Sequence, residues 1–174
     1  CNYRCVMCYQ KDISFSKKSN GFMGHMDINL FKKIIDELEG KIEAVTLASR
    51  GEPTLHQKLP EMLKYLNGKF LGLKLNTNAS LLNEKLSHEI LSSDIQTLVF
   101  SIDAADKENY EKIRVNGSYE KLTKNLETFD RVKREHYSKS KIITRVSGVA
   151  INKTISSDDM QKVWGKFVET VALV

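Results

Sequence analysis

Residues 95–102 read Ile95-Gln96-Thr97-Leu98-Val99-Phe100-Ser101-Ile102, a nearly continuous apolar run rich in β-branched residues. Such a run is typical of a strand that is buried on both faces of a parallel sheet. Three further runs share this character: Ile42–Ala48, Phe70–Leu75 and Ile142–Ile151. The chain is therefore expected to contain a parallel β-sheet.

Segments with helical periodicity fill the gaps between these runs. Their apolar stripes are Phe31, Ile34, Ile35 and Leu38, then Leu59, Met62, Leu63 and Leu66, then Leu82, Leu86, Ile90 and Leu91. Two helices are expected after the run at 95–102, near Lys107–Arg114 and Tyr119–Glu135, with Ser118 as the N-cap of the second, and a last helix around Asp158–Val168. The repeated β-α order predicts a barrel-like or doubly wound α/β domain, with Trp164 in its core.

Composition indicates one globular domain, because 174 residues with 41% hydrophobic and 28% charged side chains suffice for a sizeable core. No apolar stretch approaches the length of a membrane helix, so we expect a cytoplasmic protein. The net charge of +5 comes from basic residues that alternate with acidic ones on helices, which disfavours a nucleic-acid surface. The chain begins at Cys1 and ends in an apolar run, so we expect a piece of a longer protein.

All three cysteines lie within the first eight residues, as Cys1, Cys5 and Cys8 in the spacing C-x3-C-x2-C. Three thiolates can hold a four-iron cluster and leave one iron open for another ligand. Zinc is an alternative, with His25 as its fourth ligand. Inert cysteines are a third possibility, whereas a disulfide scaffold would need more cysteines in a chain of this length.

Polar residues follow the apolar runs, at the sheet edge where α/β proteins carry their chemistry. They are Ser49-Arg50-Gly51-Glu52-Pro53, Asn76-Thr77-Asn78, Ser101-Ile102-Asp103, and Arg145, Ser147 and Asn152 around the fourth run. Asp103 has a simpler interpretation as the N-cap of a helix that starts near Ala105. Arg145 lies inside an apolar run, so it is expected to have an internal partner or a place in the mouth of the sheet.

The cysteine triplet, Gly51-Glu52-Pro53 and the Ser101-x-Asp103 motif together resemble the radical S-adenosylmethionine (radical SAM) superfamily. The segment Tyr110-Glu111-Lys112-Ile113-Arg114 adds to the similarity. The resemblance covers the whole chain, residues 1–174, as a radical SAM core domain. It implies a partial TIM-like (β/α)6 barrel of parallel strands with outer helices, which lacks the first strand and most of the last.

The same resemblance implies two cofactors, a [4Fe-4S] cluster and S-adenosylmethionine. Cys1, Cys5 and Cys8 would bind three irons, and the methionine moiety of SAM would bind the fourth. Reductive cleavage of SAM would then give a 5′-deoxyadenosyl radical that abstracts hydrogen from a substrate. An electron donor such as flavodoxin or ferredoxin is also expected. A zinc or redox module and an RNA-binding domain are the alternatives.

Roles for the remaining candidates follow from the resemblance and from chemistry. Gly51 would allow close backbone approach, and Glu52 would face the amino group of SAM or a support residue. Ser101 and Asp103 would contact the ribose or the methionine end of SAM. Arg114 would bind the methionine carboxylate, because its planar guanidinium can donate two parallel hydrogen bonds. Weaker candidates are Met7 near the adenine, with Tyr9 as a substitute, and Asn76, Asn78 and Arg145 as cofactor or substrate contacts.

Three segments further resemble the branch of the superfamily whose barrels precede a SPASM or twitch extension. They are Tyr110–Arg114, Thr144–Val149 and Met160…Trp164…Val171. That branch modifies peptides, sugars and other small molecules, so a substrate from one of these classes is expected. No cysteine follows Cys8 that could hold an auxiliary cluster.

Overall fold

A five-stranded parallel sheet forms the centre of the computed structural model, which describes residues 1–48, 51–151 and 155–174. The strands lie side by side in chain order, and each neighbouring pair is parallel. Their bounds are β1 Ala44–Leu47, β2 Gly72–Thr77, β3 Thr97–Ser101, β4 Ile143–Gly148 and β5 Thr170–Leu173. This topology matches the partial barrel that the sequence predicts.

Among the described residues, two helices precede the first strand and five lie on the connections between strands. They are α1 Ile13–Ser16, α2 Ile28–Leu38, α3 Leu59–Leu66, α4 Glu84–Leu91, α5 Lys107–Ile113, α6 Tyr119–His136 and α7 Ser157–Trp164. Short 3-10 turns lie at Tyr9–Lys11, Lys18–Asn20 and Pro53–Leu55. Ser118 caps α6 as predicted, since its hydroxyl accepts a hydrogen bond from the Lys121 amide at 3.2 Å. No described helix is both long and apolar enough to cross a membrane.

The outer face of the sheet and the helices share one apolar core. Leu75, Leu98, Phe100 and Val146 are fully buried there, under the predicted apolar stripes of the helices. Trp164 belongs to this core, as predicted, and its indole donates a hydrogen bond to the Ala104 carbonyl at 3.0 Å. Leu82 is buried but precedes α4, because Asn83 caps that helix through the Leu86 amide.

The inner face of the sheet differs from the expectation that both faces are buried in an apolar environment. Alternate residues of β2 and β4 are only partly buried, among them Lys74, Asn76, Arg145 and Ser147. These side chains share one face because residues two apart in a strand point the same way. The apolar runs therefore pack tightly on the helix side, and the other side lines a polar interior.

Candidate cofactor site

The segment that carries the cysteines docks against the end of α5. The Arg4 amide donates to the Val115 carbonyl and the Val6 amide to the Ile113 carbonyl, each at 2.9 Å. The Arg4 guanidinium also donates to the carbonyls of Cys1 and Tyr3 at 2.9 Å. These bonds fix the backbone of residues 1–6 at the mouth of the barrel.

Asn78 holds the same segment from the carboxyl end of β2. Its side-chain amide donates to the Asn2 side-chain oxygen at 3.0 Å and lies 3.9 Å from the Cys1 sulfur. Asn2 in turn donates to the Ser80 hydroxyl at 2.8 Å. Asn78 was a candidate for cofactor or substrate contact, and the structure places it against the first cysteine.

The three thiols differ in exposure. Cys5 is buried, whereas Cys1 and Cys8 are partly buried, and none of them forms a disulfide. Burial raises the pKa of the Cys5 thiol, and the nearby Arg114 charge opposes that shift. Three free thiols on a fixed segment are a donor set that suits an iron–sulfur cluster.

The described residues do not form a site for a single metal ion. They contain no group of three or more His, Cys, Asp or Glu side chains that could hold one. His25, the fourth ligand of the zinc alternative, stacks edge-on against the His56 ring at 5.3 Å. A cubane spreads its irons apart, so its thiolates need not converge on one point as zinc ligands do.

Glu52 is a buried carboxylate at the start of the turn that follows β1. It accepts hydrogen bonds from the Thr54 amide at 3.1 Å and from the Thr54 and Thr77 hydroxyls at 2.6 Å. The backbone N–H of Asn78 is a fourth donor, at 2.6 Å. Of its two expected roles, the geometry favours support, because the carboxylate joins this turn to the end of β2.

Gly51 precedes this carboxylate with a φ of +150°, a conformation that favours glycine. Apart from its chain neighbours, no described residue would lie within 4 Å of a Cβ atom at Gly51. The described part of the chain therefore leaves space for a ligand beside Gly51. The neighbouring candidates Ser49 and Arg50, and also Asn152, lie outside the described residues.

Asp103 and Arg114 form a buried ion pair next to the end of β3. The Arg114 Nε donates to Asp103 Oδ2 at 2.5 Å, and the Val149 amide donates to Oδ1 at 3.0 Å. Burial opposes the charge on Arg114, but the facing carboxylate outweighs it and raises the pKa of the guanidinium. The simpler interpretation of Asp103 as a helix N-cap is wrong. Asp106 caps α5 instead, because its side chain accepts a hydrogen bond from the Asn109 backbone amide.

A cavity of about 350 Å³ opens on the inner face of the sheet. It brings together Ser101, Asp103 and Arg114 with the weaker candidates Asn76 and Arg145. Two buried atoms in it have no hydrogen-bond partner among the described residues, Asn76 Oδ1 and Arg145 Nε. Of the polar residues predicted to converge on one mouth, Asn76, Ser101, Asp103, Arg145 and Ser147 line this cavity. Gly51 and Glu52 line a different cavity, together with Cys1.

Met7 lies on the outside of the cysteine segment, with 41% of its surface exposed. Tyr9, its suggested substitute, packs edge-on against the Phe15 ring at 4.7 Å. The adenine contact of Met7 stays a prediction.

Several residues of the site were not predicted from the sequence. Asn2 and Thr54 are two of them, and they donate hydrogen bonds to Ser80 and Glu52. Thr77, which donates to Glu52, was already among the polar residues expected at the sheet edge. Tyr3 is buried, and its hydroxyl lies 3.4 Å from that of Tyr110. Among these missed residues, only Asn2 carried a signal in the sequence, namely its position beside a cysteine.

Comparison with known proteins identifies the family. The model of the radical SAM superfamily matches residues 1–144. A tungsten-containing aldehyde ferredoxin oxidoreductase cofactor-modifying protein from Pyrococcus furiosus is 29% identical over 105 residues, which are 59% of this chain and 28% of that protein. Mycofactocin maturase MftC from Mycolicibacterium smegmatis is 27% identical over 145 residues, which are 83% of this chain and 36% of that protein. The chain thus spans about a third of the length of these curated relatives.

Among solved structures, SuiB from Streptococcus suis bound to precursor peptide SuiA superposes with a TM-score of 0.73 at 15% identity, over 99% of this chain and 36% of that one. This match confirms the predicted partial barrel. The maturase among the relatives agrees with the predicted SPASM-type branch. This chain therefore belongs to the radical SAM superfamily of enzymes, whose cofactors are a [4Fe-4S] cluster and S-adenosylmethionine.

Proposed function

We propose that Cys1, Cys5 and Cys8 bind three irons of the [4Fe-4S] cluster, and that residues 1–174 form the core domain that cleaves SAM. The observation that carries the proposal is the attachment of the cysteine segment at both sides of the barrel mouth. Asn78 holds it at β2 and the carbonyls of Ile113 and Val115 hold it at α5. Held by these three thiolates, the cluster would supply the low-potential electron for the reductive cleavage of SAM, the source of the radical that the family's chemistry requires.

Arg114 is the residue that we assign to the methionine carboxylate of SAM. Its Nε is occupied by Asp103, which fixes the plane of the guanidinium at the edge of the cavity. A planar guanidinium that is held in this way suits a carboxylate, because orientation is settled before the ligand arrives. Asp103 is then a positioning residue, and the Ser101 hydroxyl lines the cavity beside the pair.

Glu52 and Asn78 act on the site through the cysteine segment and the turn after β1. Four donors saturate the Glu52 carboxylate, so it stabilises the turn that presents Gly51. The open space beside Gly51 is suited to the close approach of SAM to the backbone. Met7 is proposed to cover the adenine, since a thioether packs well on an aromatic ring.

A peptide is the substrate that we propose for the full protein. The support comes from MftC, which is named a maturase, and from SuiB, whose structure contains a precursor peptide. Sugars and other small molecules are the alternative classes. The electron would come from a small redox protein such as flavodoxin or ferredoxin, and the proposed location is the cytoplasm.

The test is production of 5′-deoxyadenosine by the anaerobically reconstituted, reduced protein. Cys5→Ala should abolish it, because removal of one thiolate leaves the cluster without a full set of ligands. Ser19→Ala, an equally small change at an exposed position, should have no effect. If Cys5→Ala still produced 5′-deoxyadenosine at the unmodified rate, the ligand assignment would be wrong.

A further inference from the structure

The inner-face cavity has a deep level that the proposed SAM contacts do not reach. Asn76, Val99 and Arg145 lie in one row across β2, β3 and β4. Ser101 and Ser147 form the next inward-facing row toward the carboxyl end of the sheet. Two residues along a strand span about 7 Å, so Arg145 lies that much deeper than Ser101.

The charge of this deep level is positive and uncompensated. Lys74 and Arg145 both line the cavity, and within the described chain neither side chain makes an ion pair or a hydrogen bond. Asp103 is the one acidic residue among the described lining residues, and it is paired with Arg114. Two cationic side chains are thus left facing the same space.

Two complementary atoms in the same row lack partners among the described residues. Arg145 Nε is a buried donor and Asn76 Oδ1 is a buried acceptor. A buried polar atom without a partner is unfavourable, and more so when the group is charged. Because Asn76 and Arg145 also line the cavity, a ligand that offers both an anionic oxygen and an N–H group would complement this row of side chains.

We propose that this deep level is a subsite for a carboxylate-bearing residue of the substrate peptide. The carboxylate would accept from Arg145 and Lys74, and a peptide N–H would donate to Asn76. The inference rests on the proposed function, because it places the substrate beneath SAM. It goes further by giving that substrate a charge and a point of attachment.

The experiment compares two probes on the anaerobically reconstituted full-length protein with SAM present. N-acetyl-glutamate amide carries the carboxylate and the N–H groups, and N-acetyl-glutamine amide has the same shape without the charge. Binding of each is measured by calorimetric titration at constant ionic strength. We expect the glutamate probe to bind at least about tenfold more tightly, the ratio that one charged hydrogen bond provides.

The preference for the glutamate probe should disappear in Arg145→Gln and fall several-fold in Lys74→Gln. The Lys74 variant keeps the test valid if Arg145→Gln does not fold. Arg134→Gln removes the same charge from an exposed ion pair with Asp130, so it should keep the full preference. Equal binding of both probes to the unmodified protein would overturn the inference. Loss of the preference in Arg134→Gln would overturn the inference as well.

The response of the reduced cluster to SAM, followed by electron paramagnetic resonance, separates this inference from the proposed function. A sample that responds to SAM but binds both probes equally refutes the subsite alone. A sample that prefers the glutamate probe but does not respond to SAM refutes the proposed function and supports the anion subsite. Loss of the SAM response in Arg145→Gln would assign Arg145 to SAM and overturn the inference.

Discussion

Two buried carboxylates organise the site at the scale of single residues. Asp103 is completely buried and binds both Arg114 and the backbone of Val149. Glu52 is nearly as buried and is saturated by four donors. Both carboxylates therefore orient other groups of the site, and Asp103 holds the Arg114 guanidinium at the edge of the cavity.

Glu52→Gln should destabilise the domain, because an amide nitrogen would face a hydrogen-bond donor in place of a carboxylate oxygen. We expect a loss of about 2 kcal/mol in the free energy of unfolding, measured by urea denaturation. Glu108→Gln is the control, since Glu108 is largely exposed in its ion pair with Lys112 and should change stability by less than about 0.5 kcal/mol. Equal effects of the two substitutions would contradict the support role of Glu52.

Arg114→Lys should weaken SAM binding at least about tenfold and leave the iron content unchanged. Lysine keeps a positive charge opposite Asp103 but lacks the planar fork that suits a carboxylate. The dissociation constant of SAM and the iron content are measured on the same preparation. Arg134→Lys, at an exposed position of α6, should match the unmodified protein. An unchanged dissociation constant in Arg114→Lys would refute the carboxylate role.

At the scale of secondary structure elements, the apolar runs predicted β1 to β4 and the helical patterns predicted the helices after α1, with errors at the ends. β1, β3 and β4 are shorter than their apolar runs. β2 is as long as its run but begins and ends two residues later, so Asn76 and Thr77 belong to it instead of following it. What periodicity could not predict is the docking of the cysteine segment. Arg4 and Val115 are more than a hundred residues apart in sequence, and their bond depends on where α5 ends.

Gly148 at the end of β4 marks a close approach between two elements of the site. A Cβ atom there would clash with the Ile102 carbonyl oxygen and lie 3.1 Å from the Cα of Asp103. Gly148→Ala should therefore displace the segment that carries Asp103 and cost about 1–3 kcal/mol of stability, measured by thermal unfolding. Gly24→Ala is the control, because a Cβ atom at Gly24 would meet no atom of the described residues within 4 Å, its chain neighbours aside. A Gly148→Ala variant as stable as this control would show that these segments can separate freely.

At the scale of the whole molecule, the sheet has one face for stability and one for chemistry. The outer face packs against helices, and the inner face carries the cavity in which Ser101, Asp103 and Arg114 meet Asn76 and Arg145. The sequence predicted the barrel and this convergence, because strand ends in a parallel sheet share an edge. It did not predict which polar groups bind one another and which face the cavity, since that depends on side-chain geometry.

Electron paramagnetic resonance of the reduced, anaerobically reconstituted protein, with and without SAM, tests the central claim most directly. The account predicts the signal of a reduced [4Fe-4S] cluster that changes when SAM is added, because three thiolates leave one iron open to it. The same protein with Cys5→Ala should show no such change. A cluster signal that is indifferent to SAM, or stoichiometric zinc in place of iron, would contradict the account.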